Sequence, residues 1–161
     1  SWHFMTSEVD AGKIIDQRSI PLHEHYTSLS LLKELNLLAL GSFKSFFRDL
    51  SLNRVSGHAQ DLRLKTGWHY SWEVPNDGFL DLSWSGPKMS AFLRAMDYGI
   101  LETLGKPKLV YEGVTYNWKR YQISNLENGH IDEKVVIGKD KIQVFKDSYQ
   151  IDLWQHFSIQ Q

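Results

Sequence analysis

Residues 2–15 read Trp2-His3-Phe4-Met5-Thr6-Ser7-Glu8-Val9-Asp10-Ala11-Gly12-Lys13-Ile14-Ile15. Trp2 to Met5 is short and aromatic, a composition that suits a β-strand. Thr6 to Gly12 is polar and ends in Ala-Gly, which reads as a turn. Gly12 permits a backbone path there that a side chain would obstruct. Lys13 to Leu22 reads as a second strand, closing near Pro21, whose missing N–H suits a strand end. The chain therefore opens with strand, acidic turn, strand.

Working outward, Thr27 to Leu50 is the longest helical segment. Leu31, Leu35, Leu38, Phe46 and Leu50 form its apolar stripe, widened by Leu32, Phe43 and Phe47. Thr27 or Ser28 suits the N-cap, and Gly41-Ser42 would bend or split the helix. Ser51 to Thr66 is polar without a clean period and reads as a linker or wrapped loop. Gly67 to Trp84 is dense in aromatics around the turn signal Pro75-Asn76-Asp77-Gly78, as expected of a hairpin or an extended arm. Pro87 to Asp97 reads as a helix with Met89, Phe92, Leu93 and Met96 at i, i+3, i+4 and i+7. Ser85 or Gly86 would cap it, Pro87 suits its first turn, and Gly99 would end it. From Lys108 onward the pattern turns to strands: Leu109–Glu112, Val114–Ile123, Lys134–Ile137, Lys141–Phe145 and Gln150–Trp154. Turn signals separate them at Glu112-Gly113, Asn128-Gly129, Lys139-Asp140 and Lys146-Asp147-Ser148. A small meander or open barrel follows from strands this short.

The chain has 161 residues, 42% of them apolar and 13% aromatic, which is globular composition. Lys plus Arg is 18 and Asp plus Glu is 19, a net charge of −1 that gives no support to a nucleic-acid partner. No cysteine is present, so disulfides, thiolate metal sites and a Cys nucleophile are excluded. No apolar run approaches the ~18 residues of a membrane span, and Ser1-Trp2-His3-Phe4 has no signal-peptide character. These features lead us to expect a cytoplasmic location without a membrane partner. The absence of an initiator Met leads us to expect the later part of a longer polypeptide.

The opening segment resembles the loop that closes the active site of folate-dependent formyltransferases, the family of glycinamide ribonucleotide, methionyl-tRNA and amino-sugar formyltransferases. Its members carry a strand with an aromatic-flanked His, an acidic loop ending in Asp-Ala-Gly or a near variant, and an Ile/Leu-rich strand. Here these are Trp2-His3-Phe4-Met5, Glu8-Val9-Asp10-Ala11-Gly12 and Ile14-Ile15-Asp16-Gln17, with His3 and Asp10 seven residues apart. A second stretch, Leu80-Asp81-Leu82-Ser83-Trp84-Ser85 followed by Phe92-Leu93-Arg94-Ala95-Met96-Asp97, resembles the start of the carboxy-terminal domain in longer members. Tyr98-Gly99 and Leu104-Gly105-Lys106-Pro107-Lys108-Leu109 look like formyltransferase domains linked to peptide synthetases. The resemblance covers residues 1–25 and 78–123.

The resemblance implies an α/β fold. Residues 1–50 would be the end of a Rossmann-like catalytic domain, a strand pair plus long helix. Residues 51–85 would be a linker and aromatic arm, and 86–161 a small antiparallel β-domain, an open barrel or meander with one helix. It implies formyl transfer from 10-formyltetrahydrofolate to the primary amine of a small-molecule acceptor, an amino sugar nucleotide or an aminoacyl group. Asp10 would be catalytic with His3 beside it, and Thr6, Ser7, Glu8, Val9 and Asp10 would meet the cofactor. Trp68, Tyr70 and Arg94 are the candidates for the acceptor side. The Asn-x-His pair that the family uses upstream of the loop is absent from these residues. A missing amino-terminal half or a homo-oligomer is the expected protein partner.

Each of these residues also has a plainer reading. Asp10 is then a turn aspartate before Ala-Gly, and His3 a structural strand residue. Trp68, Tyr70 and Trp72 would share one strand face, where they would stack a base or sugar or pack between two parts of the chain. Arg94 would pair with a phosphate or carboxylate, or lie on a solvated helix face. His23-Glu24-His25 invites a metal reading, but a site needs a third ligand, so no metal is expected. Lys119-Arg120 between Trp118 and Tyr121 marks a basic, aromatic surface. The competing function is a non-catalytic module, or a catalytically silent scaffold, that binds a sugar, a nucleotide or a partner domain.

Overall fold

Trp2–His3 (β1) pairs antiparallel with Ile14–Asp16 (β2), and the Phe4 N–H donates to the Lys13 carbonyl at 3.0 Å. The computed structural model describes residues 1–64, 67, 69–70, 72–126 and 132–159. The chain groups into two compact units, Ser1–His23 with Ser30–His69 and Glu24–Leu29 with Tyr70–Gln161. The first unit thus takes in the 51–69 stretch expected as linker. That stretch pairs with β2: Ile14 and His58 exchange both backbone hydrogen bonds, at 2.9 and 3.0 Å. The Gln60 amide donates to the Gly12 carbonyl at 2.7 Å. A polar segment without apolar alternation thereby finds order through main-chain bonding, which periodicity does not report.

The helix Ser28–Ser51 (α1) runs unbroken past Gly41-Ser42, contrary to the expected bend. The reason lies at Ser42. The Ser42 hydroxyl donates to the Ala39 carbonyl at 2.9 Å, within the helix, and accepts the Trp2 indole N–H at 2.8 Å. Trp2 also packs against Phe43 and Phe46, with ring centroids 5.2 and 5.8 Å away. These contacts tie β1 to α1. The second strand is shorter than expected, ending at Asp16, whose carboxylate takes Arg18 Nε at 3.1 Å.

In the second unit Pro75–Gly78 forms a tight turn with Asn76 and Asp77 in the left-handed region, at φ of 47° and 51°. It leads not into a hairpin but into Phe79–Leu80 (β3), which pairs in parallel with Lys108–Tyr111 (β4). Parallel neighbours need a crossover, and Gly86–Met96 (α2) lies on it. All four expected positions of α2, Met89, Phe92, Leu93 and Met96, are buried. The Val114–Ile123 strand is broken in two, Val114–Asn117 (β5) and Arg120–Asn125 (β6). Between them Trp118 is buried and the Lys119 N–H donates to the Trp154 carbonyl, so the chain changes sheet.

Lys134–Ile137 (β7), Lys141–Lys146 (β8) and Tyr149–Trp154 (β9) follow. A last strand, Phe157–Ile159 (β10), escaped sequence reading because three residues carry no period. The sheets run β10-β5-β4-β3 and β6-β9-β8-β7. Both contribute to one core with α2, around Leu80, Leu109, Ile142, Val144, Ile151 and Leu153. The Asn128-Gly129 turn signal lies outside the described residues.

The cap of α2 is long-range. Ser85 occupies the N-cap without a side-chain bond. Instead Asp147, in the β8–β9 turn, accepts the Gly86 N–H at 2.7 Å. Gly86 is required by this approach, since a Cβ there would stand 2.5 Å from the Tyr149 ring. Asp147→Ala is expected to destabilise the protein by about 1 kcal/mol, as loss of a cap does, read as a lower urea midpoint at unchanged slope. An unchanged midpoint would show that the cap contributes nothing.

Asp152 sits on the face of β9 opposite Ile151 and Leu153. Its burial opposes ionisation, but hydrogen bonds from Gln150, Gln143 and Lys141 outweigh this and hold its carboxyl below the ordinary range. A folded-state value below the unfolded one stabilises the fold above the unfolded pKa, and that stability fades as pH falls through the folded value. Asp152→Asn should therefore flatten the acid limb of a stability-against-pH curve below about pH 4. An acid limb identical to that of the parent protein would count against this assignment.

Candidate functional site

The β1–β2 turn presents the acidic loop. Gly12 is buried at its base. Thr6 Oγ1 donates to the Glu8 carbonyl at 2.9 Å, which folds the loop on itself as Thr hydroxyls do in turns. Thr6, Ser7, Glu8, Val9 and Asp10 are all exposed, and Met5 beside them is 94% exposed. Asp10 stands at φ 55°, a left-handed conformation that Asp tolerates better than most residues. Among the described residues its carboxylate makes no hydrogen bond or ion pair, so both oxygens are open to a ligand or a water. His3 is exposed on β1, with Nδ1 3.1 Å from the Phe4 carbonyl oxygen. No hydrogen bond joins His3 to Asp10. The arrangement offers one unpaired carboxylate on a loop with a fixed base and an open crest.

The second motif has a different task. Arg94 Nη1 donates to the Tyr26 carbonyl at 3.1 Å, the Ser28 hydroxyl to the Ala95 carbonyl at 2.7 Å, and the Leu29 N–H to the Asp97 carbonyl at 3.0 Å. The Arg-Ala-Met-Asp run thus holds the 26–29 segment, and Ser28, expected as a cap, is bonded elsewhere. Asp97 also accepts the Gly99 N–H and the Tyr121 hydroxyl, at 2.9 and 3.0 Å. Burial, the Asp97 charge and that hydrogen bond push the Tyr121 hydroxyl well above the ordinary tyrosine range, with Arg94 pulling weakly the other way. Arg94 Nε is buried without a hydrogen-bond partner among the described residues.

Tyr70 is exposed and stacks on Trp72, with ring centroids 4.5 Å apart and planes 10° from parallel. Trp68 lies outside the described residues. The His25 ring packs on Tyr26 at 4.9 Å. Among the described residues no cluster of three or more His, Cys, Asp or Glu is placed to hold an ion. No helix among them is long and apolar enough to cross a membrane. Sequence reading missed His58 and Gln60, which brace the loop base; His58 acts through its backbone and Gln60 through its side-chain amide on a distant carbonyl, so no local pattern marked either.

No family model matches the chain, and no curated protein matches it in sequence. Its fold is similar to that of two solved N-formyltransferases. One is the N-formyltransferase from Helicobacter canadensis, crystallised with folinic acid and dTDP-3-aminofucose. It has a TM-score of 0.68 and 13% identity, over 95% of this chain and 54% of that one. The other is WlaRD, a sugar 3N-formyltransferase, studied in the presence of dTDP and 5-N-formyl-THF. Its TM-score is 0.67 with 13% identity, over 99% of this chain and 54% of that one. At this identity the likeness is one of fold, and the chain spans about half the length of each.

Proposed function

We propose that this chain supplies the donor-side loop for formyl transfer from 10-formyltetrahydrofolate to a primary amine, with Asp10 as its working group. The observation that carries this reading is the unpaired Asp10 carboxylate on a braced, open loop, within a fold shared with two N-formyltransferases. Both neighbours were crystallised with formyl-folate compounds, and one with a dTDP-amino sugar. An amino sugar nucleotide is accordingly the acceptor we favour over an aminoacyl group.

When bound, the folate supplies the formyl group. The exposed crest from Thr6 to Asp10 would lie along it, an arrangement that leaves backbone groups free to meet a polar ring edge. As the acceptor nitrogen bonds to the formyl carbon it must shed a proton, and the departing folate nitrogen must gain one. Asp10 takes up or relays that proton, directly or through a water, which is the work of a positioned carboxylate. His3 flanks the loop on β1. Stabilising the negative oxygen of the tetrahedral intermediate requires further donors. In the resembling family an Asn and a His provide them from outside the residues of this chain. Tyr70, Arg94 and Trp68 are proposed for the acceptor side.

The test is an assay of the full encoded polypeptide with 10-formyltetrahydrofolate and a panel of dTDP-amino sugars and aminoacyl amines. Formylated product on an amino sugar, detected by mass, is the expected result. No formylated product from any acceptor would overturn the enzymatic reading and favour a binding module. The stacked, exposed Tyr70–Trp72 pair would suit such a module.

A further inference from the structure

The second unit contains a cavity of about 360 Å³ that the formyl-transfer reading does not use. It lies between the end of α2, the 99–107 loop and the corner where the chain passes from β5 to β6. Its volume falls in the range of small-ligand sites. Leu93, Met96 and Trp118 line it and are buried in the core. Ile100, at its rim, is 96% exposed, an apolar side chain with nothing over it. The 99–105 loop holds Gly99, Glu102 and Gly105 at φ of 60°, 41° and 73°. A left-handed Glu is costly and persists where its surroundings impose it.

Three cations, Lys106, Lys119 and Arg120, line this cavity against two carboxylates, Asp97 and Glu102. Asp97 is turned to the Gly99 N–H and the Tyr121 hydroxyl, which orient its carboxylate without cancelling its charge. Tyr121, as the donor to Asp97, contributes no negative charge of its own. Glu102 is paired with Lys106 at 3.3 Å, both partly exposed, so that pair exchanges readily with solvent. The Lys119 side chain has no hydrogen-bond or ion-pair partner among the described residues, and the residue is exposed. The surplus is one positive charge, with Lys119, Arg120 and Lys106 all within the same lining.

We propose that this cavity is a binding site for a small phosphorylated ligand with an aromatic or apolar body, held by Lys119 and Lys106 at the phosphate and by Ile100 and Tyr98 along the body. Lysines bind phosphate as point charges, and two of them match a dianion better than a single carboxylate. The apolar rim gives a purpose to the exposure of Ile100, which a free inorganic ion would leave uncovered. The nucleotide part of an acceptor and an unrelated phosphorylated metabolite share this chemistry.

The experiment is two-dimensional NMR and calorimetry on the whole chain with four probes: phenyl phosphate, thymidine 5′-monophosphate, thymidine and inorganic phosphate. Phenyl phosphate and the nucleotide should both shift the Ile100, Lys119 and Trp118 indole resonances. Thymidine and inorganic phosphate should each bind at least about tenfold more weakly, a difference of about 1.4 kcal/mol. Tighter binding of the nucleotide than of phenyl phosphate would identify a nucleotide as the source, and equal binding a less selective phosphate site.

Lys119→Glu and Ile100→Ser, both at exposed positions, should each weaken the phosphorylated probes, the charge reversal more. No shift at these residues with any probe at millimolar concentration would overturn the proposal. So would binding indifferent to Lys119→Glu, or inorganic phosphate bound as tightly as the aromatic phosphates. No folate enters the experiment, so failure of formyl transfer and failure of this site are read separately.

Discussion

Asp10→Asn is expected to lower kcat for formyl transfer by about 10²- to 10⁴-fold, the range for loss of a general acid–base group, with folinic acid binding nearly unchanged. The substitution keeps the size and planarity of the side chain and removes only its capacity to accept and return a proton. Asp10 is exposed and makes no hydrogen bond or ion pair among the described residues, so no structural contact is lost with the charge. Its left-handed backbone is one that Asn adopts as readily as Asp, so the turn should survive. The measurement is steady-state kinetics of the full encoded polypeptide, paired with calorimetry against folinic acid. A fall in kcat with binding retained locates the role in proton handling. If turnover is unchanged, Asp10 is an ordinary turn residue and the mechanism fails. If binding falls instead of kcat, the carboxylate holds the cofactor without relaying a proton.

The parts of the fold that were legible share a property: their signal is carried by neighbours in sequence. The α2 stripe is periodic because one helix face meets the core, and Lys134–Ile137 is a run rich in β-formers. The acidic loop was legible because several residue types recur at fixed spacing around Asp10. What stayed illegible depends on distant partners. Asp147 caps a helix that begins at Gly86, and nothing near either residue says so. Phe79–Leu80 pairs in parallel with a strand beyond α2, whereas the aromatic pattern suggested a hairpin. Gly41-Ser42 looks like a break until Trp2 is placed on the Ser42 hydroxyl. Arg94 shows the same limit at a candidate site. Sequence offered a ligand contact or a solvated face, and the structure adds a third task, holding the Tyr26 carbonyl. The cavity beside Lys119 was legible only as a basic, aromatic run, because its other wall is built by the 99–107 loop.

Gly12→Ala should be among the most damaging single-methyl additions to this protein, costing about 3 kcal/mol or more, as overpacking against fixed backbone does. A Cβ on Gly12 would lie 1.6 Å from the Phe4 carbonyl oxygen and 2.7 Å from its carbon. Those atoms belong to the backbone, so no rotamer change relieves the overlap. Phe4 is held by the Lys13 carbonyl through its own N–H, and the Gly12 carbonyl by Gln60. Either the strand pair opens or the 58–60 brace is lost, and in both cases the Asp10 loop loses its base. Gly41→Ala is the matched control. Nothing lies within 4 Å of a Cβ there, and the position is exposed inside α1. Ala should stabilise it by about 0.5–1 kcal/mol through helix propensity. Urea unfolding followed on the Trp2 indole N–H resonance reads both variants, since that proton is bonded to Ser42 in α1. The two midpoints should move in opposite directions. A Gly12→Ala protein as stable as the parent would mean the loop base yields freely, and the braced geometry assigned to Asp10 would go with it.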